Sequence, residues 1–368
     1  MRRALAAAAA LFLFATWAQA DAGWDLVWRS EAASEQVSVE GEVRTMVQLG
    51  RRAERATAEV RAARGKMRFD YEADGRRWSL IDDGHDLIQL RPKQEEAVIL
   101  ARPTLVTDRE LAERNYTARI TGEVTVAGRR TRVVEITPRD GGTPAWRLWV
   151  DRETGLALKR ERYNYTGDLT MATEYLSLRF GAPAPAELFT IPPGWTRKER
   201  DGAGARLSVE ALSKRVGFGV VQPGYLPPGY VLVGGYLGHG RDGGPGMAEL
   251  RYTDGLRLMS VFERPGGAED ESAAPEVGGG RGPRHGRGGM SPEVGGGRGR
   301  HRGGRGEGGG MGGGRRERRG FGAARGGMTI TDRGGAKALR YSRDDRVVVV
   351  VGDLPEEELI RVAKSVAQ

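Results

Sequence analysis

The chain has 368 residues, with 58 Lys and Arg against 49 Asp and Glu, a formal charge of +9, 57 Gly and no Cys. That length suits about two domains, and the missing Cys excludes disulfides, thiol catalysis, Cys-ligated zinc, iron–sulfur clusters and a Cys-linked lipid anchor. The positive excess sits in residues 278–327, which hold 24 Gly, 12 Arg and three acids; the rest of the chain is neutral, so the charge does not describe a folded basic face built for nucleic acid.

In chain order, Met1-Arg2-Arg3, the apolar run from Ala4 to Trp17 and Ala18-Gln19-Ala20 read as a secretory signal, residues 1–20, with the mature chain starting at Asp21. The apolar run is too short to span a bilayer. A short helical segment over Trp24 to Ala33 precedes a long strand, in which Val37, Val39, Val43, Val47 and Leu49 share one parity. Met67, Phe69 and Tyr71, then Trp78 and Leu80, then Leu87, Ile88 and Leu90 give short strands separated by Asp-Gly turns. A helix is predicted between Pro103 and Arg114. Val124 to Val126 turns through Ala127-Gly128 into Val133, Val134 and Ile136, Trp146 to Val150 turns into Leu156 and Leu158, and Thr170 to Phe180 adds a strand. Residues 21–195 thus predict one large antiparallel sheet with few helices.

Pro183, Pro185, Pro192, Pro193 and a polar stretch place a linker at 196–206. Beyond it, 207–368 predicts a smaller α+β domain. It has a helix over Leu207 to Val216, strands at Val231 to Leu237, Met247 to Tyr252 and Leu256 to Glu263, a strand at Val347 to Val351 apolar enough to be covered on both faces, and a last helix after Leu354-Pro355. Between its strands lies an insertion, 265–327, in which Pro275 to Gly282 recurs letter for letter at Pro292 to Gly299. Its composition cannot bury enough apolar surface to offset the entropy of ordering, so it is predicted to be disordered and to loop out between two paired strands. The Arg/Gly tract has one aromatic ring, Phe321, which is little for stacking on bases.

No catalytic set emerges. His85 and His239 sit beside Gly in turns, His285 and His301 lie in the tract, and no metal-ligand spacing or nucleophile elbow occurs. Asp82, Asp83 and Asp86 crowd one turn, which a hairpin explains better than a cation. No cofactor or metal is expected, and the chain reads as a non-enzyme. The aromatic residues Phe69, Tyr71, Trp78, Trp146 and Trp149 lie on strands with few helices to cover them, so they pack either as a core or as the lining of an apolar cavity.

Three pieces in order, Leu226-Pro227-Pro228-Gly229-Tyr230, then Leu250 to Leu256 (with Tyr252, Asp254 and Gly255), then Val349 to Pro355 (with Gly352 and Leu354), resemble the C-terminal domain of the MucB/RseB family. Thr131 to Ile136 and Leu148 to Leu156 are similar to that family's N-terminal half, and the second of these also to LolA-type lipoprotein carriers. The resemblance implies an α+β protein, with a LolA-like antiparallel half-barrel followed by a smaller partner-binding domain. It implies a periplasmic regulator that holds the periplasmic part of a transmembrane anti-sigma factor and modulates its proteolysis on an envelope signal, with lipid or lipopolysaccharide as a further ligand and no nucleic acid. A lipid or lipoprotein carrier is the alternative. The oligomeric state, a homo-oligomer included, stays open at this level.

Overall fold

The structure, a computed structural model, describes residues 22–49, 52–73, 76–101, 108–199, 206–238, 247–266, 328–332, 335–343 and 346–366. The predicted signal sequence (1–20), the predicted turn at Asp74-Gly75, residues 102–107 of the predicted helical stretch, 200–205 of the predicted linker, His239 and the Gly/Arg tract lie outside the described residues.

Helix α1 (22–36) leads into β1 (Val39–Leu49). Then follow β2 (Arg52–Ala63), β3 (Lys66–Ala73), β4 (Arg76–Asp82), β5 (Asp86–Arg91) and β6 (Glu96–Ala101). After α2 (Arg109–Asn115) come β7 (Tyr116–Val126), β8 (Arg129–Pro138), β9 (Trp146–Asp151), β10 (Ala157–Tyr163), β11 (Leu169–Phe180) and β12 (Thr196–Glu199). They form one twelve-stranded sheet in the order β12-β6-β5-β4-β3-β2-β1-β11-β10-β9-β8-β7.

The sheet rolls up. Val126 and Ala127 at the far end of β7 join one apolar cluster with Val39, Val43, Ala58, Val60 and Tyr175, although four strands separate β7 from β1 in the sheet order. The Arg129 guanidinium likewise lies 4.7 Å from the Phe180 ring, across two intervening strands. The helices fill one end: Trp24, Leu26 and Val27 of α1 and Ala112 of α2 are buried with Val134, Ile136, Trp146 and Leu148. This is the predicted half-barrel. Asp108 caps α2 by accepting from the Leu111 N–H at 2.9 Å, which satisfies a donor that the first helical turn leaves over.

Two predictions need correcting here. The sheet is not wholly antiparallel, because Thr196 to Glu199 pairs in parallel with Glu96 to Ile99. The linker set at 196–206 therefore begins with four residues of strand. A parallel edge is reachable because the chain returns through the turn of Ala186–Phe189, whose Phe189 packs with Ile81, Ile88 and Leu90.

The second sheet runs β13 (Val231–Gly238), β14 (Met247–Thr253), β15 (Leu258–Pro265), β18 (Arg346–Gly352), β17 (Lys337–Arg343) and β16 (Met328–Asp332), all antiparallel. Helices α3 (Val209–Val216) and α4 (Glu356–Val366) cover one face, where Leu359, Val362, Ala363 and Val366 meet Leu250, Met259, Val348 and Val350. Val347, Val349 and Val351 are buried on the other face with Met247, Phe262 and Ala338, so the apolar run is covered on both sides, as predicted. The tract does not loop out between paired strands. It leaves from β15 and returns at β16, and β18 and β17 lie between them.

Candidate functional site

The three motif pieces of the second half converge where the two sheets meet. The turn between β14 and β15 is held by its own side chains: Asp254 Oδ1 accepts from the N–H groups of Leu256 (3.0 Å) and Arg257 (2.7 Å), and Thr253 Oγ1 accepts from that of Gly255 (3.0 Å). Gly255 has φ +104°, and a Cβ there would stand 2.3 Å from the Ala112 backbone nitrogen. Only glycine allows the turn to press on α2. Leu256 thereby enters the core of the first sheet, 5% exposed, beside Trp24 and Ala112.

Polar contacts complete the first half of the junction. The Tyr116 hydroxyl donates to Asp254 Oδ2 at 2.5 Å, and Asn115 Nδ2 donates to the carbonyls of Asp254 (2.9 Å) and Gly229 (3.1 Å). Gly229, at φ +82°, is also tightly fitted, since a Cβ would lie 2.8 Å from the Asn115 side chain. In the second half, the Tyr165 N–H donates to Asp353 Oδ1 at 2.9 Å, and Arg257 Nε lies 3.3 Å from Asp353 Oδ2. Beside it, an open cleft of about 390 Å³ is lined by Tyr165, Lys337, Pro355, Glu356, Glu357 and Ile360.

Asp254 and Asp353 are 6% and 3% exposed, so two carboxylates are buried around one guanidinium. Burial pushes the Asp353 carboxyl up, with Arg257 pulling the other way. Burial, then the Asp254 charge, pushes the Tyr116 phenol far up, and burial does the same to Tyr230. For Arg257, burial works against the charge, but the surrounding Tyr116, Asp353, Tyr230 and Asp254 outweigh it and the guanidinium is raised. These groups hold charge and hydrogen bonds in place. The arrangement can lock two sheets at one angle.

The residues singled out in the sequence fall in different places. Tyr71 and Trp78 stack at 5.1 Å with Phe69 6.4 Å from Tyr71, over small residues such as Ala58 of β2. Trp149 packs on the same cluster and carries the Lys159 ammonium at 4.5 Å from its ring. Trp146 does not join them, being 7% exposed in the core under α1 and α2. Among the motif positions, Gly229, Asp254, Gly255 and Leu256 form the junction, and Pro355 lines its cleft. Tyr252 and Leu354 are core residues of the second sheet, against which Leu226 packs. Gly352 sits at the end of β18, and the Pro227 carbonyl accepts from the Tyr230 N–H within its turn. Asp82 and Asp83 accept from the backbone N–H groups of Gly84, His85 and Asp86, a hairpin turn holding itself. Sequence reasoning missed Asn115, Tyr116, Tyr165, Arg257 and Asp353 as site residues.

A family model, the MucB/RseB N-terminal domain, matches residues 40–193. Over that stretch the chain is similar to the MucB/RseB family. A curated relative, the "Sigma factor AlgU regulatory protein MucB" of Pseudomonas aeruginosa, is 35% identical over 152 residues, which is 41% of this chain and 44% of that protein. The match therefore spans less than half of the relative's length. Among solved structures, MucB in complex with MucA(peri) is similar with a TM-score of 0.56 at 21% identity, over 93% of this chain and 97% of that one. The MucA/MucB complex of Pseudomonas aeruginosa gives 0.55 at 22% identity, over 92% and 96%. The likeness thus extends the shared fold beyond the MucB/RseB domain to the second sheet.

Proposed function

We propose that this chain is an exported, non-catalytic regulator that holds the periplasmic part of a transmembrane anti-sigma factor and modulates its proteolysis in response to an envelope signal, either lipid or misfolded protein. The observation that carries the reading is the MucB/RseB domain at 40–193, with a relative of 35% identity named as a sigma factor regulatory protein. The likeness in fold to MucB chains solved with MucA supports it over both sheets. The signal sequence at 1–20 supports export to the periplasm. Two ligands of one regulator then act by linkage: a signal that lowers the affinity for the anti-sigma factor is itself bound less tightly when that partner is present. The rolled first sheet, with Tyr71, Trp78 and Phe69 half-buried together, suits a lipid or lipopolysaccharide signal. In this reading the junction sets the angle at which both sheets meet a partner.

A lipid or lipoprotein carrier is the second reading, favoured by the half-barrel, but it leaves the second sheet and its latch without a task. A pull-down with the mature chain from envelope extract separates the two. Recovery of a single-pass membrane anti-sigma factor is the outcome expected; lipoproteins or acyl chains without such a partner would sink the first reading.

A further inference from the structure

Strand β7 is an edge of the large sheet, hydrogen-bonded to β8 alone among the described strands. Its residues 119–125 are exposed one after another, where a strand with one buried face would alternate. Ile120 and Val124 are 36% and 47% exposed. A bulge between Ile120 and Gly122 shifts the register, after which Glu123 faces Arg132 and Val124 faces Thr131, so a charged and an apolar side alternate along the strand.

The charge beside this edge is unbalanced. The Glu123 carboxylate receives three guanidinium groups, Arg130 and Arg152 at 3.1 Å and Arg132 at 3.4 Å, whose side chains stay 73%, 38% and 44% exposed. Arg29 of α1 reaches the same corner, donating to the carbonyls of Arg152 and Glu153. The remaining acids there, Asp151 and Glu153, are held by Arg129 at 2.7 and 2.8 Å. The rim therefore has five arginines for three carboxylates, and its uncompensated charge lies along an edge that pairs with no described strand besides β8, although the Val124 carbonyl already accepts from Thr131 Oγ1 at 2.8 Å. Charges on an edge strand discourage pairing with another copy of the same strand, and here they favour a partner of opposite sign.

We propose that the edge of β7 over residues 119–125 accepts an extended acidic peptide segment as an added strand. Its carboxylates meet Arg130, Arg132 and Arg152, and its apolar side chains lie against Val124. In such an addition main-chain hydrogen bonds supply affinity and alternate side chains supply selectivity. The proposal extends the reading of this chain as a binding protein, but its test uses no anti-sigma factor, so the two fail separately.

The test takes the chain from Asp21 onward and a fluorescent ten-residue peptide alternating Glu and Val, followed by anisotropy and by hydrogen exchange. Saturable binding is expected, weakened about tenfold or more between 0.05 and 0.5 M salt, with amides in 119–125 gaining protection. A peptide alternating Lys and Val should not bind the unaltered chain, a comparison that depends on no variant folding. R130E/R132E/R152E should lose binding at least about tenfold, and R130K/R132K/R152K should keep most of it. Equal affinity for the two peptides, or protection elsewhere than β7, would overturn the proposal. So would binding of phosphatidylglycerol vesicles through the same arginines without peptide binding, or dimerisation of the chain through 119–125.

Discussion

Asp353 meets Tyr165 across 188 residues of chain and shares Arg257 with Asp254. Its carboxyl is raised because burial outweighs Arg257, with Arg162 also lowering it and Asp254 raising it. A group whose folded pKa lies above its unfolded value binds protons more readily in the folded state. Stability therefore grows as pH falls through the folded pKa and levels off below the unfolded one, near 3.8. Asp151 works the other way: its lowered carboxyl loses stability on acidification. Comparison with Asp353→Asn isolates the first effect. From pH 7 down to the unfolded value near 3.8 the unaltered chain should gain unfolding free energy relative to the variant, measured by urea denaturation, and a constant difference would show that burial of this charge costs nothing. The sequence displayed Asp254 and Gly255 as turn residues, since turn chemistry is local. It could not display Tyr116, which reaches Asp254 across 138 residues and has no neighbour in sequence that marks it.

The β14–β15 turn acts as a wedge at the scale of elements, and its fit depends on the missing side chain of Gly255. Gly255→Ala adds a Cβ that Ala112 cannot accommodate and places a side chain at φ +104°. The expected outcome is a junction that opens while each sheet keeps its own core, seen as a larger radius of gyration in solution scattering and faster proteolysis between the halves. An unchanged radius would mean that the latch does not hold the sheets. Elements with one clean apolar parity, such as β1 and β3, the unbroken apolar run of β18, and α4 with its buried Leu359, Val362, Ala363 and Val366, were legible in the sequence. Strand β2 was not. Its residues, RAERATAEVRAA, are those that favour helices, and it stands between β1 and β3 because Ala58, Val60 and Ala62 fit beneath the large rings of β3. Strands β6, β12, β16 and β17 were missed as well, since segments of four to seven residues carry little pattern.

At the scale of the whole molecule, the half-barrel and the α+β unit were both readable, but their union was not, because a latch made of single residues from distant turns has no periodicity. The Gly/Arg tract has a composition that cannot bury enough apolar surface to offset the entropy of ordering it. Deleting residues 278–327 should accordingly move the thermal midpoint by no more than a few degrees, about what 1 kcal/mol would do in a chain of this size; a large drop in a melting scan would show that the tract is part of the fold. The strand order has a kinetic corollary. Val261 pairs with Val350, so the centre of the second sheet forms only when a loop of close to ninety residues closes. Ring closure scales with the logarithm of loop length, and removing 50 residues lowers its cost by about 0.7 kcal/mol. The shortened chain should zip its β15–β18 seam roughly three times faster, and on this arithmetic the tract lengthens the time a newly made chain needs to become whole.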